Sequence, residues 1–234
     1  MRNPAVVAKM AVTVDHASNG RAFLGIGSGW FEREHAAYGI EFGRSAGERL
    51  DWLDEAVGIM RRLFNGETVT HDGPHYRVED LTMYPPPVNG SLPIMIGGSG
   101  EKKTLRTVAK YAHMWDVGIA PNLEPVRHKI DVLAEHCAAV GRDMGEIQRI
   151  ITPTIYIRDN PEEARRVWAE ARNRNGEIPP RNLAPWIGPP EVIAEHMRPF
   201  IEELGFTGFI VDLPSPYDQE TIERWIGEVR PLLG

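Results

Sequence analysis

The stretch Pro93-Ile94-Met95-Ile96-Gly97-Gly98-Ser99-Gly100 sets the pattern of the chain. A short apolar run, typical of a buried strand, leads into a glycine-rich turn and then into the helical pattern of residues 101–112. Residues 22–27 repeat the first part of this pattern and run into the turn Gly25-Ile26-Gly27-Ser28-Gly29-Trp30. Strands that alternate with helices in this way are typical of parallel sheets covered by helices, so the chain is predicted to be an α/β protein.

The rest of the chain continues the alternation. Further strands are predicted at residues 114–119, 150–158 and 208–213, which brings the number of predicted strands to five. Helices are predicted at residues 4–17, 45–64, 101–112, 123–140, 190–204 and 221–233, and after Asn160. Residues 67–92 are polar and irregular, and they are interpreted as an insertion that contains a small hairpin. Five parallel strands fit either a doubly wound sheet or part of an eight-stranded barrel, and periodicity does not separate these two folds.

The helix from Ser45 to residue 64 has the clearest pattern. Ser45 and Glu48 have the spacing of a capping box, which satisfies backbone N–H groups at a helix start. Apolar residues then recur at intervals of three and four and form one stripe, which must be buried. The stripe consists of Leu50, Leu53, Val57, Met60 and Phe64.

Composition narrows the class of protein. The 234 residues are enough for one domain with a sizeable core. A formal net charge of -7 argues against a nucleic-acid or anionic-membrane surface, because both need basic patches. Cys137 is the only cysteine, so internal disulfides and multi-cysteine metal sites are excluded and a reducing, cytoplasmic location is predicted. No apolar run approaches the ~20 residues that a membrane-spanning helix needs.

Two glycine turns are the candidate binding elements. In the first, Gly27 and Gly29 leave little side-chain bulk at the end of a strand, so a flat ligand could approach the backbone, with Trp30 as one wall. In the second, residues 97–100 precede a helix, whose free N–H groups and positive dipole end form a ready anion site. Its hydroxyl donors would be Ser99 and Thr104, and its cations Lys102 and Lys103. An ordinary tight turn is the alternative interpretation in each case.

Other polar residues give weaker signals. Asp116 and Asp212 lie at predicted strand ends, where catalytic carboxylates often lie in barrels, but turn capping is the favoured interpretation. The eight histidines do not have the spacing of metal ligands, and no metal site is predicted. No nucleophile motif is present.

A set of short segments occurs in a characteristic order along the chain: Arg2-Asn3-Pro4, Ala8-Lys9-Met10-Ala11, Ser18-Asn19-Gly20-Arg21, Leu24-Gly25-Ile26-Gly27-Ser28-Gly29-Trp30, Arg49 with Glu55, Pro93-Ile94-Met95-Ile96-Gly97-Gly98-Ser99-Gly100, and Gly141-Arg142-Asp143. Together they resemble the luciferase-like monooxygenase family, and specifically its branch dependent on coenzyme F420. The resemblance covers residues 2–150 well and the remainder loosely. Each segment is weakly specific, whereas their order and spacing make the combination specific.

The resemblance implies a luciferase-like TIM (β/α)8 barrel and thereby decides between the two folds. The five predicted strands would correspond to strands 4 to 8, and the first three strands would be absent. We therefore expect an incomplete barrel that forms a single domain over residues 1–234, with an irregular insertion at about 67–92. A complete barrel of this kind usually exceeds ~250 residues.

The same resemblance implies the cofactor-binding residues. Gly27, Ser28, Gly29 and Trp30 would line the ring of F420 or, alternatively, FMN. Its phosphate would be held by Gly97, Gly98, Ser99 and Gly100, with Thr104 nearby. No catalytic residue is named, because residues that polarise the ring often come from the strands that are absent here.

The expected function is hydride transfer between F420 and a small organic substrate. One alternative is an FMN-dependent monooxygenase that uses molecular oxygen. Another is a non-catalytic flavin-binding or degenerate member, completed by a partner chain that covers the open sheet edges, as in a homo-oligomer.

Overall fold

The computed structural model describes residues 2–118, 122–174, 185–213 and 217–234. Its strands are β1 (Leu24–Ile26), β2 (Val69–Asp72), β3 (Arg77–Leu81), β4 (Ile94–Gly97), β5 (Met114–Asp116), β6 (Gln148–Ile151), β7 (Ile155–Ile157), β8 (Trp186–Gly188) and β9 (Phe206–Phe209). Its α-helices are α1 (Pro4–Ala17), α2 (Glu32–Ala37), α3 (Ala46–Phe64), α4 (Thr104–Tyr111), α5 (Leu123–Ala139), α6 (Pro161–Arg174), α7 (Pro190–Glu202), α8 (Gln219–Arg224) and α9 (Arg230–Leu233). The α/β class and the five predicted strands are confirmed.

Side-chain caps fix the starts of three helices. The Asn3 carboxamide accepts a hydrogen bond from the Ala5 N–H at 2.9 Å, and the Ser45 hydroxyl accepts one from the Glu48 N–H at 3.1 Å. Asn160 likewise accepts from an N–H in the first turn of α6 at 2.9 Å. Each cap satisfies a donor that has no partner within the helix.

The apolar stripe predicted on α3 is buried as expected. Four of its members are almost inaccessible to solvent, and Leu50 at its N-terminal end is half-buried. The buried residues are Leu53, Val57, Met60 and Phe64. This stripe makes α3 a firmly anchored element of the fold, because burying one such side chain contributes about 1.5–3 kcal/mol.

Contacts between Cα atoms divide the chain into two compact units. The first comprises Met1–Trp115 and Ile130–Ile147, and the second comprises Asp116–Lys129 and Gln148–Gly234. The expectation of one domain over 1–234 stays a prediction. None of the helices in the described ranges is both long and apolar enough to cross a bilayer.

The first unit is built around β1 and β4. These strands are parallel, with Leu24 opposite Ile94 and Ile26 opposite Ile96, and β4 is also the neighbour of β5. The segment 67–92 contains the antiparallel hairpin β2–β3.

Glu55 of α3 holds this hairpin. Its carboxylate accepts hydrogen bonds from His71 Nε2 at 2.8 Å and from the Tyr76 N–H at 2.9 Å. A β-carbon at Gly73 would overlap both the Glu55 carboxylate and the His71 ring. Only glycine therefore fits at position 73 while this pair is formed.

The second unit differs from the prediction in its strands. The run 150–158, predicted as one strand, forms β6 and β7 with a break at Pro153, which has no N–H to donate to a ladder. β6 pairs with β9, whereas β7 pairs with β8 in a separate parallel pair. β8 lies in the proline-rich stretch 178–190, whose composition predicts a loop, and most of that stretch lies outside the described residues. The last predicted helix, 221–233, is divided by a π-helical turn at Trp225–Val229.

Candidate functional site

The two glycine turns leave neighbouring strands at the same edge of the sheet. Because β1 and β4 are parallel and Ile26 lies opposite Ile96, the residues that follow each strand emerge side by side. A β-carbon at Gly27 would lie 3.7 Å from the carbonyl oxygen of Gly97. The structure therefore brings together the two turns that the sequence places at strand ends. In parallel α/β folds, this edge is where ligands bind.

The first turn presents an aromatic side chain. Trp30 is half-exposed and stacks on Phe31, with ring centroids 5.2 Å apart. The backbone of the turn is tied to α3, because Arg49 Nε donates to the Gly29 carbonyl oxygen at 3.3 Å. The turn thus combines an open aromatic face with a held backbone.

The second turn is folded tightly onto Thr104. Gly98 has a φ of 119°, a conformation that residues with a β-carbon rarely adopt. Its carbonyl oxygen accepts a hydrogen bond from Trp115 Nε1 at 2.9 Å. A β-carbon at Gly100 would lie 2.8 Å from the Thr104 hydroxyl oxygen. Glycine at both positions therefore lets the turn approach the first residue of α4.

The start of α4 supplies the donors of the second turn. No side chain among the described residues caps this helix. The Leu105 N–H already donates to the Gly100 carbonyl oxygen at 3.0 Å, so an anion at this end of α4 would meet the dipole of the helix and the N–H groups that this turn does not use. Lys103, which the sequence offers as a cation for a phosphate, is paired with a carboxylate in this structure. Its ammonium group lies 2.6 Å from Asp51 Oδ1 and donates to the Gly47 carbonyl oxygen at 3.0 Å. An anion at this turn would therefore meet backbone dipoles and hydroxyl groups instead of Lys103.

A cavity of about 570 Å³ opens beside β1 in the same unit. Leu24, Gly25 and Ile26 of β1 line it, together with α3 residues such as Met60. Tyr76 is one of the polar residues that line the cavity. Burial and the nearby Glu55 carboxylate raise the pKa of the Tyr76 phenol. The cavity adjoins the first turn through Ile26, and the sequence pattern gave no signal of it, because its walls come from distant segments.

Both aspartates at strand ends accept hydrogen bonds from threonine hydroxyls, and Asp116 also caps a turn. Asp116 Oδ1 accepts hydrogen bonds from the Gly118 N–H at 3.2 Å and from the Thr152 hydroxyl at 3.0 Å. Asp212 accepts one from the Thr154 hydroxyl at 3.5 Å. The contact with the Gly118 N–H agrees with the favoured interpretation for Asp116, whereas the interpretation of Asp212 as a cap stays a prediction. In the ranges that the structure describes, no group of three or more His, Cys, Asp or Glu side chains is placed to hold a metal ion.

Comparison of the sequence with models of known protein families identifies the family of this chain. Residues 1–178 match the model of the luciferase-like monooxygenase family. The chain belongs to the luciferase-like monooxygenase family. The resemblance of the sequence segments is thereby confirmed, and the match includes both glycine turns.

Relatives of this luciferase-like chain include proteins that are named as F420-dependent enzymes. An F420-dependent glucose-6-phosphate dehydrogenase of Kineococcus radiotolerans is 28% identical over an alignment of 259 residues, gaps included. The alignment covers 99% of this chain and 74% of the relative's length. The enzyme of that name from Mycolicibacterium fortuitum is 33% identical over 175 residues, covering 71% and 50%. An uncharacterised protein of Mycobacterium tuberculosis is 29% identical over 168 residues. The luciferase-like chain spans 56% of the length of this last relative.

Solved structures show the same luciferase-like fold. The coenzyme F420-dependent tetrahydromethanopterin reductase of Methanopyrus kandleri matches with a TM-score of 0.78 at 18% identity, over 100% of this chain and 80% of its own. The monooxygenase RslO1 of Streptomyces bottropensis matches with a TM-score of 0.80 at 19% identity, over 100% and 75%. At such identities the similarity concerns the fold, and it confirms the luciferase-like class.

Proposed function

We propose that this chain belongs to an oxidoreductase that transfers a hydride between coenzyme F420 and a small organic substrate. The observation that carries the proposal is the pair of glycine turns at the ends of the neighbouring strands β1 and β4. Relatives of 28% and 33% identity bear the name F420-dependent glucose-6-phosphate dehydrogenase, and these names favour F420.

The two turns have different tasks in this proposal. The turn 27–30 lies against the ring system, where the absence of side chains at Gly27 and Gly29 admits a flat ligand and Trp30 forms one wall. The turn 97–100 and Thr104 hold the phosphate through backbone N–H groups, hydroxyl groups and the dipole of α4.

The residues present fit such a cofactor. No side-chain atom lies within 4 Å of a β-carbon built at Gly27, and the start of α4 has no side-chain cap to compete with an anion. When bound, the deazaflavin ring would supply the hydride chemistry, as cofactors generally do. The protein's residues bind the ring, fix its orientation and exclude water. The cavity beside β1 is the proposed place of a largely apolar substrate, because apolar side chains dominate its walls.

Titration of the purified chain with F420 and, separately, with FMN tests the cofactor. Ligand fluorescence reports binding in both cases. We expect F420 to bind with a Kd on the order of micromolar and FMN at least about tenfold more weakly, a difference of ~1.4 kcal/mol. Tight binding of FMN without binding of F420 would contradict the proposal.

That second result would favour an FMN-dependent monooxygenase instead. The alternative has its own support, because the structures of similar fold include an FMN complex of a Baeyer-Villiger monooxygenase constituent, with a TM-score of 0.71. Binding of neither ligand would favour a degenerate member completed by a partner chain. Light scattering coupled to size-exclusion chromatography would then show an oligomer. The cytoplasmic location stays a prediction.

A further inference from the structure

The N-terminal part of α3 holds the backbone of the ring-facing turn. Arg49 donates through Nε to the Gly29 carbonyl oxygen at 3.3 Å and through an Nη atom to the Phe42 carbonyl oxygen at 3.4 Å. The planar guanidinium group thus bridges two loop segments that are 13 residues apart in sequence, with one donor for each.

The orientation of this guanidinium group is fixed by stacking. Its central carbon lies 3.8 Å from the centroid of the Phe42 ring, a cation–π geometry. The ring of His35 meets the same Phe42 ring edge-on, with centroids 4.9 Å apart. Arg49 therefore has one arrangement in which the stacking and both hydrogen bonds are satisfied together.

The helix that carries Arg49 is a firm support. The stripe from Leu53 to Phe64 is buried, so α3 moves with the core of its unit. The loop that Arg49 contacts has no such support of its own, because residues 27–31 belong to neither a helix nor a strand. A side chain that joins a buried helix to a loop transfers the rigidity of the helix to that loop.

We propose that Arg49 is a positioning residue for the ring subsite. This inference rests on the proposed function of the turn 27–30. Arg49 restricts the turn to the conformation that receives the ring, so that the chain loses less conformational entropy when the ligand binds. The guanidinium group touches the backbone of the turn, so it acts through Gly29.

The test compares Arg49→Met, Arg49→Lys and the control Arg44→Met. Arg44 precedes the same helix, its side chain is 91% exposed, and it pairs with Glu48 without touching the turn. The first measurement is hydrogen exchange at the amides of residues 27–31 in the ligand-free chain. The second is the Kd for F420 and for the deazaflavin riboside that lacks phosphate.

The expected result is specific to the ring. Arg49→Met should speed exchange at residues 27–31 and raise both Kd values by about tenfold, since both ligands carry the ring. Arg49→Lys keeps the charge but loses the two-donor plane, so its effect should be intermediate. Arg44→Met should change neither exchange nor binding. The lysine variant keeps the test decisive if the methionine variant does not fold.

Several outcomes would overturn the inference. Exchange and both Kd values could stay within about twofold of the parent chain, or only the phosphate-bearing ligand could bind more weakly, which would place the effect at the other turn. In both cases the proposed function stands, because the parent chain binds F420. If the parent chain binds neither F420 nor FMN, the proposed function itself fails. In that case, faster exchange in Arg49→Met would show only that Arg49 stabilises the loop, and its proposed role in ligand binding would be rejected.

Discussion

The β-carbon of any residue other than glycine at position 27 would lie 3.7 Å from the Gly97 carbonyl oxygen. This is an ordinary contact distance, so the fold accepts a side chain there. The same side chain would occupy the corner between the two turns. Gly27 is therefore a position at which binding and stability are separable.

The Gly27→Val variant should separate these two properties. We expect its free energy of unfolding to stay within about 1 kcal/mol of the parent chain, because the β-carbon meets no close atom. We expect its Kd for F420 to rise at least about tenfold, because the branched side chain fills the corner. Gly227→Ala is the control, since nothing lies within 4 Å of a β-carbon at that position. Equal F420 affinity in the two variants would show that the ligand does not enter this corner.

The Gly98→Ala variant should be less stable than the parent chain. The φ of 119° is unfavourable for alanine, and its β-carbon would lie 3.3 Å from the Thr104 methyl group. The combined effect should be a loss of about 1–3 kcal/mol. Adding Thr104→Ser removes the methyl group and should restore part of the loss, as measured by urea denaturation. A double variant no more stable than Gly98→Ala would show that backbone strain alone is responsible.

The pair of Glu55 and His71 should contribute measurably to stability. Burial would raise the pKa of Glu55, but hydrogen bonds from His71 and from the Tyr76 and His75 N–H groups outweigh burial and lower it. A double-mutant cycle with Glu55→Ala and His71→Ala should give a coupling of about 1 kcal/mol at pH 7. Because the folded-state pKa is lowered, the carboxylate's stabilisation is present above its unfolded pKa and is lost as the pH falls through the folded value. A coupling that persists at a pH below the folded-state pKa of Glu55 would contradict this account.

His113 should make the fold sensitive to mild acid. Burial and the charges of Arg61 and Arg142 lower its pKa to about 4, and its Nδ1 accepts the Ile94 N–H at 3.0 Å. The unfolded chain therefore binds a proton near pH 6.5 that the folded chain binds only near pH 4. Stability is complete above pH 6.5 and falls between pH 6.5 and about 4, by roughly 2 kcal/mol after allowance for solvent screening.

Replacement of His113 by Asn tests this dependence. Asn keeps an acceptor for the Ile94 N–H but does not titrate, so the loss of stability over this pH range should be smaller. His128→Asn, the same replacement at an exposed histidine, provides the control. Parallel pH curves for the parent chain and His113→Asn would rule out His113 as the cause.

Local patterns were enough to predict most elements and the position of each glycine turn at the end of a strand. The caps at Asn3, Ser45 and Asn160 and the buried stripe of α3 depend on residues close in sequence, so spacing reveals them. The adjacency of Gly27 and Gly97 depends in addition on the pairing of β1 with β4, which local patterns do not give.

The features that the sequence did not predict depend on contacts between distant residues. Lys103 pairs with Asp51, 52 residues away, and nothing in the local pattern distinguishes this partner from a phosphate. The pairing of β7 with β8 depends on two features that the local pattern does not show. The strand run is interrupted at Pro153, and the partner strand β8 lies after residues 175–184 in sequence. The sequence shows Arg49 only as part of a motif, because its contact with Gly29 joins residues 20 positions apart.

The steric exclusion at Gly73 has an evolutionary consequence. Since the space of its missing side chain is taken by Glu55 and His71, these three positions cannot change independently. Related sequences that keep the acidic and imidazole partners should retain glycine at the middle position. Lineages that acquire a larger residue there should have exchanged at least one partner as well, which would appear as covariation across the hairpin.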